Sequence, residues 1–100
     1  MTYSKLQWET MIRHLAVDSS QIIFTKHVLI RMKQRHITQA YVLEVLQRGV
    51  IRREPEQDIK TGDTLCRMER SIEGLQIGVV LALEDASATS GIVVTALKIG

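Results

Sequence analysis

Four apolar side chains near the N-terminus share one helical face, because their spacing is i, i+3, i+4 and i+7. They are Trp8, Met11, Ile12 and Leu15. The segment Ser4–Gln7 has the form of a capping box, a common start of a helix. The pattern therefore predicts a first helix over residues 4–16, which ends before the polar run Asp18–Ser20.

Two further helices are predicted from threonine residues that can cap them. Thr25 precedes a helical pattern that runs to about Arg35, after a short extended piece at residues 21–24. Thr38 precedes a third helix, and Gly49 stands where a left-handed residue commonly ends a helix. The first half of the chain is therefore predicted to be helical, with a left-handed C-terminal residue at Gly49.

From Val50 onward the hydrophobic period changes to two, and turn residues at 61–63, 73–74 and 85–91 separate the apolar runs. This alternation predicts strands at 50–54, 64–72, 75–84 and 92–98. The last two runs are apolar on both faces, which predicts a central position, and Pro55 suits the end of an edge strand. The sequence thus predicts an α+β fold in which N-terminal helices pack on an antiparallel sheet of four or five strands.

Length and composition fit one globular domain covering residues 1–100. The chain is 45% hydrophobic and 24% charged and contains no linker or repeat, as in ordinary folded domains. Cys66 is the only cysteine, which excludes an internal disulfide and a cysteine zinc cluster and favours a reducing compartment. The N-terminus lacks a signal-peptide core and no apolar run has bilayer length. We therefore expect a cytoplasmic protein with no membrane partner.

The net charge of +2 is unevenly distributed along the chain. Residues 1–50 contain seven Lys/Arg and three Asp/Glu, a balance of +4, whereas the second half has a balance of −2. A net charge this small does not by itself argue for a nucleic-acid partner. The helical half is nevertheless the basic half.

The second predicted helix carries the one pattern that suits catalysis. His27 and Arg31 lie about 40° apart around the helix axis, and Arg35 flanks them. Guanidinium groups bind phosphate oxygens through forked hydrogen bonds, and an imidazole can transfer a proton near neutral pH. Cleavage of RNA by its own 2′-hydroxyl group needs a base, an acid and positive charge, and it needs no metal. His27, Arg31 and Arg35 are therefore candidate catalytic residues, with neither a metal nor a cofactor expected.

The same helix pattern is also typical of a solvated surface face, and this interpretation stays open. His27 could simply hydrogen-bond a neighbouring carbonyl group at the start of the helix. On the sheet, Arg67 and Glu69 share the face opposite Cys66, which is typical of a solvent-side ion pair. Cys66 itself alternates into the apolar side and is predicted to be a core residue rather than a nucleophile.

Several separated segments resemble a family of small bacterial proteins, a domain of unknown function grouped with the RelE/ParE-like toxin fold. The segments are Phe24–His27, the pair Arg31 and Met32, Arg35, Val42–Gly49 and Val93–Ala96. The resemblance covers roughly residues 22–97, which implies a RelE-like α+β core at 21–100 and a helical addition at 1–20. It implies a toxin of a toxin–antitoxin pair. Many such toxins are metal-independent endoribonucleases that act on mRNA through a basic face built from helix and sheet.

The resemblance also implies roles for individual residues. The shared positions correspond to His27 as general acid or base and to Arg31 and Arg35 as catalytic and substrate-binding groups. Arg67 lies on a strand where such a fold could present a further phosphate contact. The best-known relatives use lysine, arginine and tyrosine on the sheet and C-terminal segment, where this chain offers only Lys98. His36 stands where this branch commonly has glycine.

Three functions stand as predictions. The first is an endoribonuclease toxin with an antitoxin as its protein partner. The second is a noncatalytic module that docks on RNA, on the ribosome or on an acidic protein segment, with salt-sensitive binding and no cleavage. The third is a self-associating domain in which Trp8 and the apolar stripe of the first helix form a homodimer face.

Overall fold

A computed structural model describes residues 3–99 of the chain. Within this range three helices and six strands follow one another in an α+β arrangement. They are α1 (Lys5–Leu15), β1 (Ile22–Phe24), α2 (Lys26–Gln34), α3 (Gln39–Arg48), β2 (Val50–Ile51), β3 (Glu56–Gln57), β4 (Thr64–Ile72), β5 (Leu75–Leu83) and β6 (Gly91–Lys98). A single 3-10 turn at Ser19–Gln21 connects α1 to β1.

Local hydrogen bonds start the three helices at the predicted residues. The amide of Ser4 donates to Gln7 Oε1 at 2.7 Å, and the amide of Gln7 donates to Ser4 Oγ at 3.2 Å. The hydroxyl oxygens of Thr25 and Thr38 each accept the amide three residues later, at 3.2 and 3.1 Å. Each cap provides a hydrogen-bond acceptor for an amide that has no partner inside its helix. The local sequence therefore determines where each of the three helices begins.

Gly49 ends α3 but does not adopt the predicted left-handed conformation, so that prediction is wrong. Its φ is −75° and its ψ is −178°, which is extended backbone that leads directly into β2. Glycine is needed here for space instead. A Cβ atom would overlap the carbonyl oxygen of Val45 and would lie 2.8 Å from that of Glu69. Close packing of the α3 end against β4 therefore explains the residue.

The sheet has the strand order β1-β6-β5-β4-β2, and β3 pairs with another part of β4. Strands β4, β5 and β6 form the antiparallel centre, which confirms the predicted fold class. The described sheet has six strands rather than four or five. One of them, β1, corresponds to the extended piece predicted at residues 21–24, but it pairs with residues 91–93 of β6 in parallel rather than antiparallel. The predicted strand at 50–54 is shortened to the two residues of β2, and the two-residue strand β3 lies beyond its predicted end.

The helices cover one face of the sheet and enclose the hydrophobic core with it. The largest side chains that are fully enclosed in this core are Ile12, Leu46, Met68, Ile77, Leu81 and Leu83. Trp8 and Ile12 of α1 belong to this same core, so they pack within the chain rather than forming an exposed face. Cys66 is buried on the same side, as predicted. Among residues 3–99, no helix combines the length and the apolar character needed to span a membrane.

Candidate functional site

The three candidate residues of α2 lie on one flank of this helix but in different surroundings. Val28 and Met32 point into the core, which fixes the orientation of the helix. His27 and Arg31 are exposed on the flank, and neither makes a hydrogen bond or a salt bridge with any residue in the described range. Both side chains are therefore accessible to a partner in solution.

Arg35, by contrast, is tied to the sheet. Its Nη1 atom donates to the carbonyl oxygen of Ala96 at 2.9 Å and to Thr95 Oγ1 at 3.3 Å. These groups lie on β6 beyond the three residues that β1 covers, where the strand would otherwise have an unpaired edge. The tether uses only one nitrogen of the guanidinium group, so the other N–H groups remain without a partner among residues 3–99.

Arg67 lies on β4, on the sheet face opposite the helices, and is paired there with a carboxylate that it shares with Arg52. Its Nε atom is 3.2 Å from Glu69 Oε2, and Arg52 lies 3.6 Å from the other oxygen of Glu69. The Nε–H of Arg67 is buried without a hydrogen bond, so the contact with Glu69 is ionic only. The structure thus confirms the predicted pairing of Arg67 with Glu69 but not its solvent-side position, because the two side chains are only 18% and 12% exposed.

Arg67 is not brought next to α2. It pairs across the sheet with Val80, which in turn pairs with Thr95. Two strand spacings therefore separate its backbone from Thr95, a distance of about 10 Å. Of the predicted site residues, the structure places His27, Arg31 and Arg35 on one helix flank and leaves Arg67 two strands away.

An open groove at the end of α2 joins residues that the sequence analysis did not combine. Its volume is about 490 Å³, and it is lined by Gln34, Arg35, His36, Leu97 and Lys98. Three of these side chains are basic, and no carboxylate lines the groove. His36 and Lys98 were noticed singly in the sequence, but sixty-two positions separate them and no spacing rule connects them. Only the packing of α2 on β6 brings them together.

Positive charge is concentrated on α2, on the residue that ends it and on β6. Arg31 and Arg35 share one flank of the helix, whereas Lys33 lies on the opposite flank beside the start of α3. Helix α2, strand β6 and the residue that ends α2 contain no Asp or Glu, and we call their five cationic residues the basic side. They are Lys26, Arg31, Lys33, Arg35 and Lys98. All five salt bridges found between residues 3 and 99 lie elsewhere, on α1, α3, β4 or the segment 52–54. The five residues of the basic side therefore form no ion pair within the described part of the chain.

The side chains of the described residues offer no group of three His, Cys, Asp or Glu that could hold a metal ion. What the arrangement can do is bind anions through guanidinium, ammonium and imidazole donors. Fold and site together define a small α+β domain with a cation-rich helix and strand edge.

Residues 24–98 match the model of a family described as Domain of unknown function (DUF4258), and the chain belongs to this family. The match includes α2, α3, the sheet from β2 to β6 and the whole basic side, while α1 lies outside it. No curated protein and no solved structure matches the chain.

Proposed function

We propose that this protein binds RNA through its basic side and acts as a toxin of the RelE/ParE-like type, as a metal-independent endoribonuclease on mRNA in the cytoplasm. The observation that carries the proposal is the segregation of charge: five cationic residues without an acidic neighbour on α2 or β6. A phosphodiester chain presents one negative charge per nucleotide, and cations that contact it release its counterions. The resemblance of residues 22–97 to that toxin group supports the same proposal, and an antitoxin would be the protein partner.

In the proposed reaction the exposed His27 transfers a proton and Arg31 binds the phosphate. The 2′-oxygen of the RNA attacks the adjacent phosphorus as a base removes its proton. The P–O5′ bond then breaks, and an acid gives a proton to the leaving 5′-oxygen. The products are a 2′,3′-cyclic phosphate and a 5′-hydroxyl end, and cations stabilise the negative charge on the crowded phosphorus.

One observation favours a noncatalytic module as a second candidate function. No group in the described structure holds the imidazole of His27 in a fixed orientation, whereas a general base is commonly positioned by a hydrogen bond. The same basic side could then dock on RNA without cleaving it.

Binding is tested by two double variants that remove the same charge from different places. Arg31→Ala/Lys33→Ala alters α2, and Arg53→Ala/Lys60→Ala removes two exposed cations far from α2 in the sequence. We expect the first variant to bind a fluorescent single-stranded RNA about tenfold more weakly and to lower the salt slope by about 0.7 per lost phosphate contact. The measurement is fluorescence anisotropy at several salt concentrations. Equal weakening by both variants would mean that only net charge matters and that the basic side is not the site.

Cleavage is tested with the same RNA in the presence of EDTA. We expect the wild type to release fragments with 2′,3′-cyclic phosphate ends and His27→Ala to release none, while both bind RNA. Induced expression in a bacterial host should stop growth and deplete mRNA for the wild type and not for His27→Ala/Arg31→Ala. Binding without cleavage by the wild type would replace the toxin proposal with the noncatalytic one.

A further inference from the structure

His36 has a left-handed backbone conformation, which is uncommon for residues other than glycine. It follows the last residue of the α2 cap, Arg35, and has a φ of 57°. The amide of His36 donates to the carbonyl of Lys33 at 3.2 Å, and that of Ile37 donates to Met32 at 2.9 Å. This pair of hydrogen bonds is a Schellman motif, in which the left-handed position is usually glycine. A side chain with a Cβ atom is disfavoured there, so the imidazole is present despite a local conformational cost.

Residues held in disfavoured backbone conformations are concentrated at functional sites, and the surroundings of His36 suggest what the function is. Its side chain lines the groove together with Arg35 and Lys98. The guanidinium of Arg35 is held on β6 by the bonds to Ala96 and Thr95, so little conformational freedom would be lost when it binds a ligand.

We propose that this groove binds a phosphate group, with Arg35, His36 and Lys98 donating hydrogen bonds to its oxygens. The ligand is a phosphate of the RNA, an assignment that rests on the proposed function. Guanidinium and ammonium groups are the usual protein donors to phosphate, and bonds between ionised partners are the strong ones. Leu97 offers an apolar surface for the sugar or base next to that phosphate, in a groove of about 490 Å³.

The backbone carbonyl groups at the C-terminus of α2 repel an anion in the groove, because a helix C-terminus carries partial negative charge. The Schellman motif occupies the carbonyl oxygens of Lys33 and Met32 with hydrogen bonds. The full charges of Arg35 and Lys98 exceed what remains of the helix dipole, so the net field in the groove favours a phosphate.

The experiment is a titration of the 15N-labelled full chain with inorganic phosphate, followed by amide chemical shifts. We expect saturable shifts at residues 34–36 and 97–98. His36→Gly and Lys98→Ala should each weaken the affinity at least about fivefold, as expected when one charged hydrogen bond is lost. Two matched controls, His14→Ala and Lys60→Ala, remove an exposed imidazole and an exposed ammonium elsewhere and should leave the affinity unchanged.

The variant His36→Gly distinguishes a loss of phosphate binding from a loss of folding. Glycine fits the left-handed position better than histidine, so the variant should melt at the same temperature as the wild type or higher. If His36→Gly binds phosphate as well as the wild type, or if the shifts map outside the groove, the inference is overturned.

A parallel titration with single-stranded RNA separates this inference from the proposed function. Suppose that the wild type binds RNA and that Arg31→Ala/Lys33→Ala weakens this binding but His36→Gly does not. This result would overturn the inference about the groove and leave the proposed function standing. Phosphate binding in the groove with no RNA binding would overturn the proposed function, and the groove would remain a phosphate site. Weakening of both ligands by His36→Gly supports the groove as the phosphate subsite of the RNA interface.

Discussion

Cys66 lies in the middle of β4 on the buried face of the sheet, with a side chain that is fully enclosed. Burial removes the thiolate from water and raises the pKa of its thiol from 9.0 to about 12. The thiol therefore stays protonated at neutral pH and is a poor nucleophile. This agrees with a structural role and removes Cys66 from the candidates for chemistry.

The raised pKa of Cys66 predicts a loss of stability at high pH. Below pH 9 the thiol is protonated in both the folded and the unfolded chain, and its contribution is fully present. Between pH 9 and about 12 only the unfolded chain releases the proton, so the free energy of unfolding falls, by at most about 1.4 kcal/mol per pH unit. Urea unfolding at pH 8, 9.5 and 10.5 measures this effect.

The control for this prediction is Cys66→Ala, which has no thiol to ionise. We expect this variant to be less stable at pH 8, because a small cavity replaces the sulfur, and to lose less stability between pH 8 and 10.5 than the wild type. Parallel pH curves for the two proteins would contradict the predicted effect of burial on the thiol.

At the scale of elements, side chains from helices complete both edges of the sheet. On one edge Glu9 of α1 accepts the amide of Ile51 at 2.8 Å, and Arg13 donates to the carbonyl of Gly49 at 2.7 Å. On the other edge Arg35 donates to Ala96. Unpaired strand edges invite association with other chains, so these contacts stabilise the strands and also protect them.

Because Arg35 is hydrogen-bonded to β6 and Arg31 is not, we expect their substitutions to change the free energy of unfolding by different amounts. Arg35→Ala should lower the free energy of unfolding by about 1–2 kcal/mol, because a partly buried bond from a charged donor is lost. Arg31→Ala should change it by less than about 0.5 kcal/mol, because Arg31 is exposed and has no partner among the described residues. Urea unfolding of both variants measures the difference. Equal effects would show that the contact with β6 does not stabilise the helix.

This difference matters for interpreting Arg35 in functional experiments. A loss of RNA binding in Arg35→Ala can arise from movement of α2 as well as from the missing donor. Arg31, His36 and Lys98 are therefore the better residues for testing the basic side and the groove.

At the scale of the whole molecule, α1 lies outside the family segment at 24–98 but contributes to the common core. Trp8 is only 6% exposed and packs edge to face with Tyr3, with ring centres 5.1 Å apart. Ile12 is fully buried. Removing such side chains from a core costs several kcal/mol, so α1 is expected to unfold with the rest of the chain. That residues 1–20 are an addition to the family core stays a prediction from the sequence. Their contribution to the free energy of unfolding can be measured.

Because Trp8 is the single tryptophan of the chain, tryptophan fluorescence reports on the contact of α1 with the rest of the core. We expect the fluorescence transition and the far-UV circular dichroism transition to coincide in urea, as in a two-state protein. Trp8→Phe provides the dichroism control without the fluorophore. A fluorescence transition at clearly lower urea concentration would show that α1 detaches before the sheet unfolds.

The helices, their caps and the three long strands could be predicted from the sequence because each depends on nearby residues. Ser4, Thr25 and Thr38 bond to amides three positions away, and the period of the apolar residues sets the buried face. The same local reasoning predicted Cys66 in the core and the pairing of Arg67 with Glu69. It failed at Gly49, where the carbonyl of Val45 in α3 and that of Glu69 on β4, twenty positions away, leave no room for a Cβ atom.

What the sequence by itself determined is therefore the three helices and the three long strands, the α+β class and the basic character of α2. Only the tertiary structure decided which cations face a common groove and which arginine is tied to the sheet. Arg35 meets Ala96 across sixty-one positions of the chain, and the parallel pairing of β1 with β6 leaves the strand edge that Arg35 covers. Such contacts depend on how packed elements lie in space, and a periodicity within one element carries no information about its neighbours.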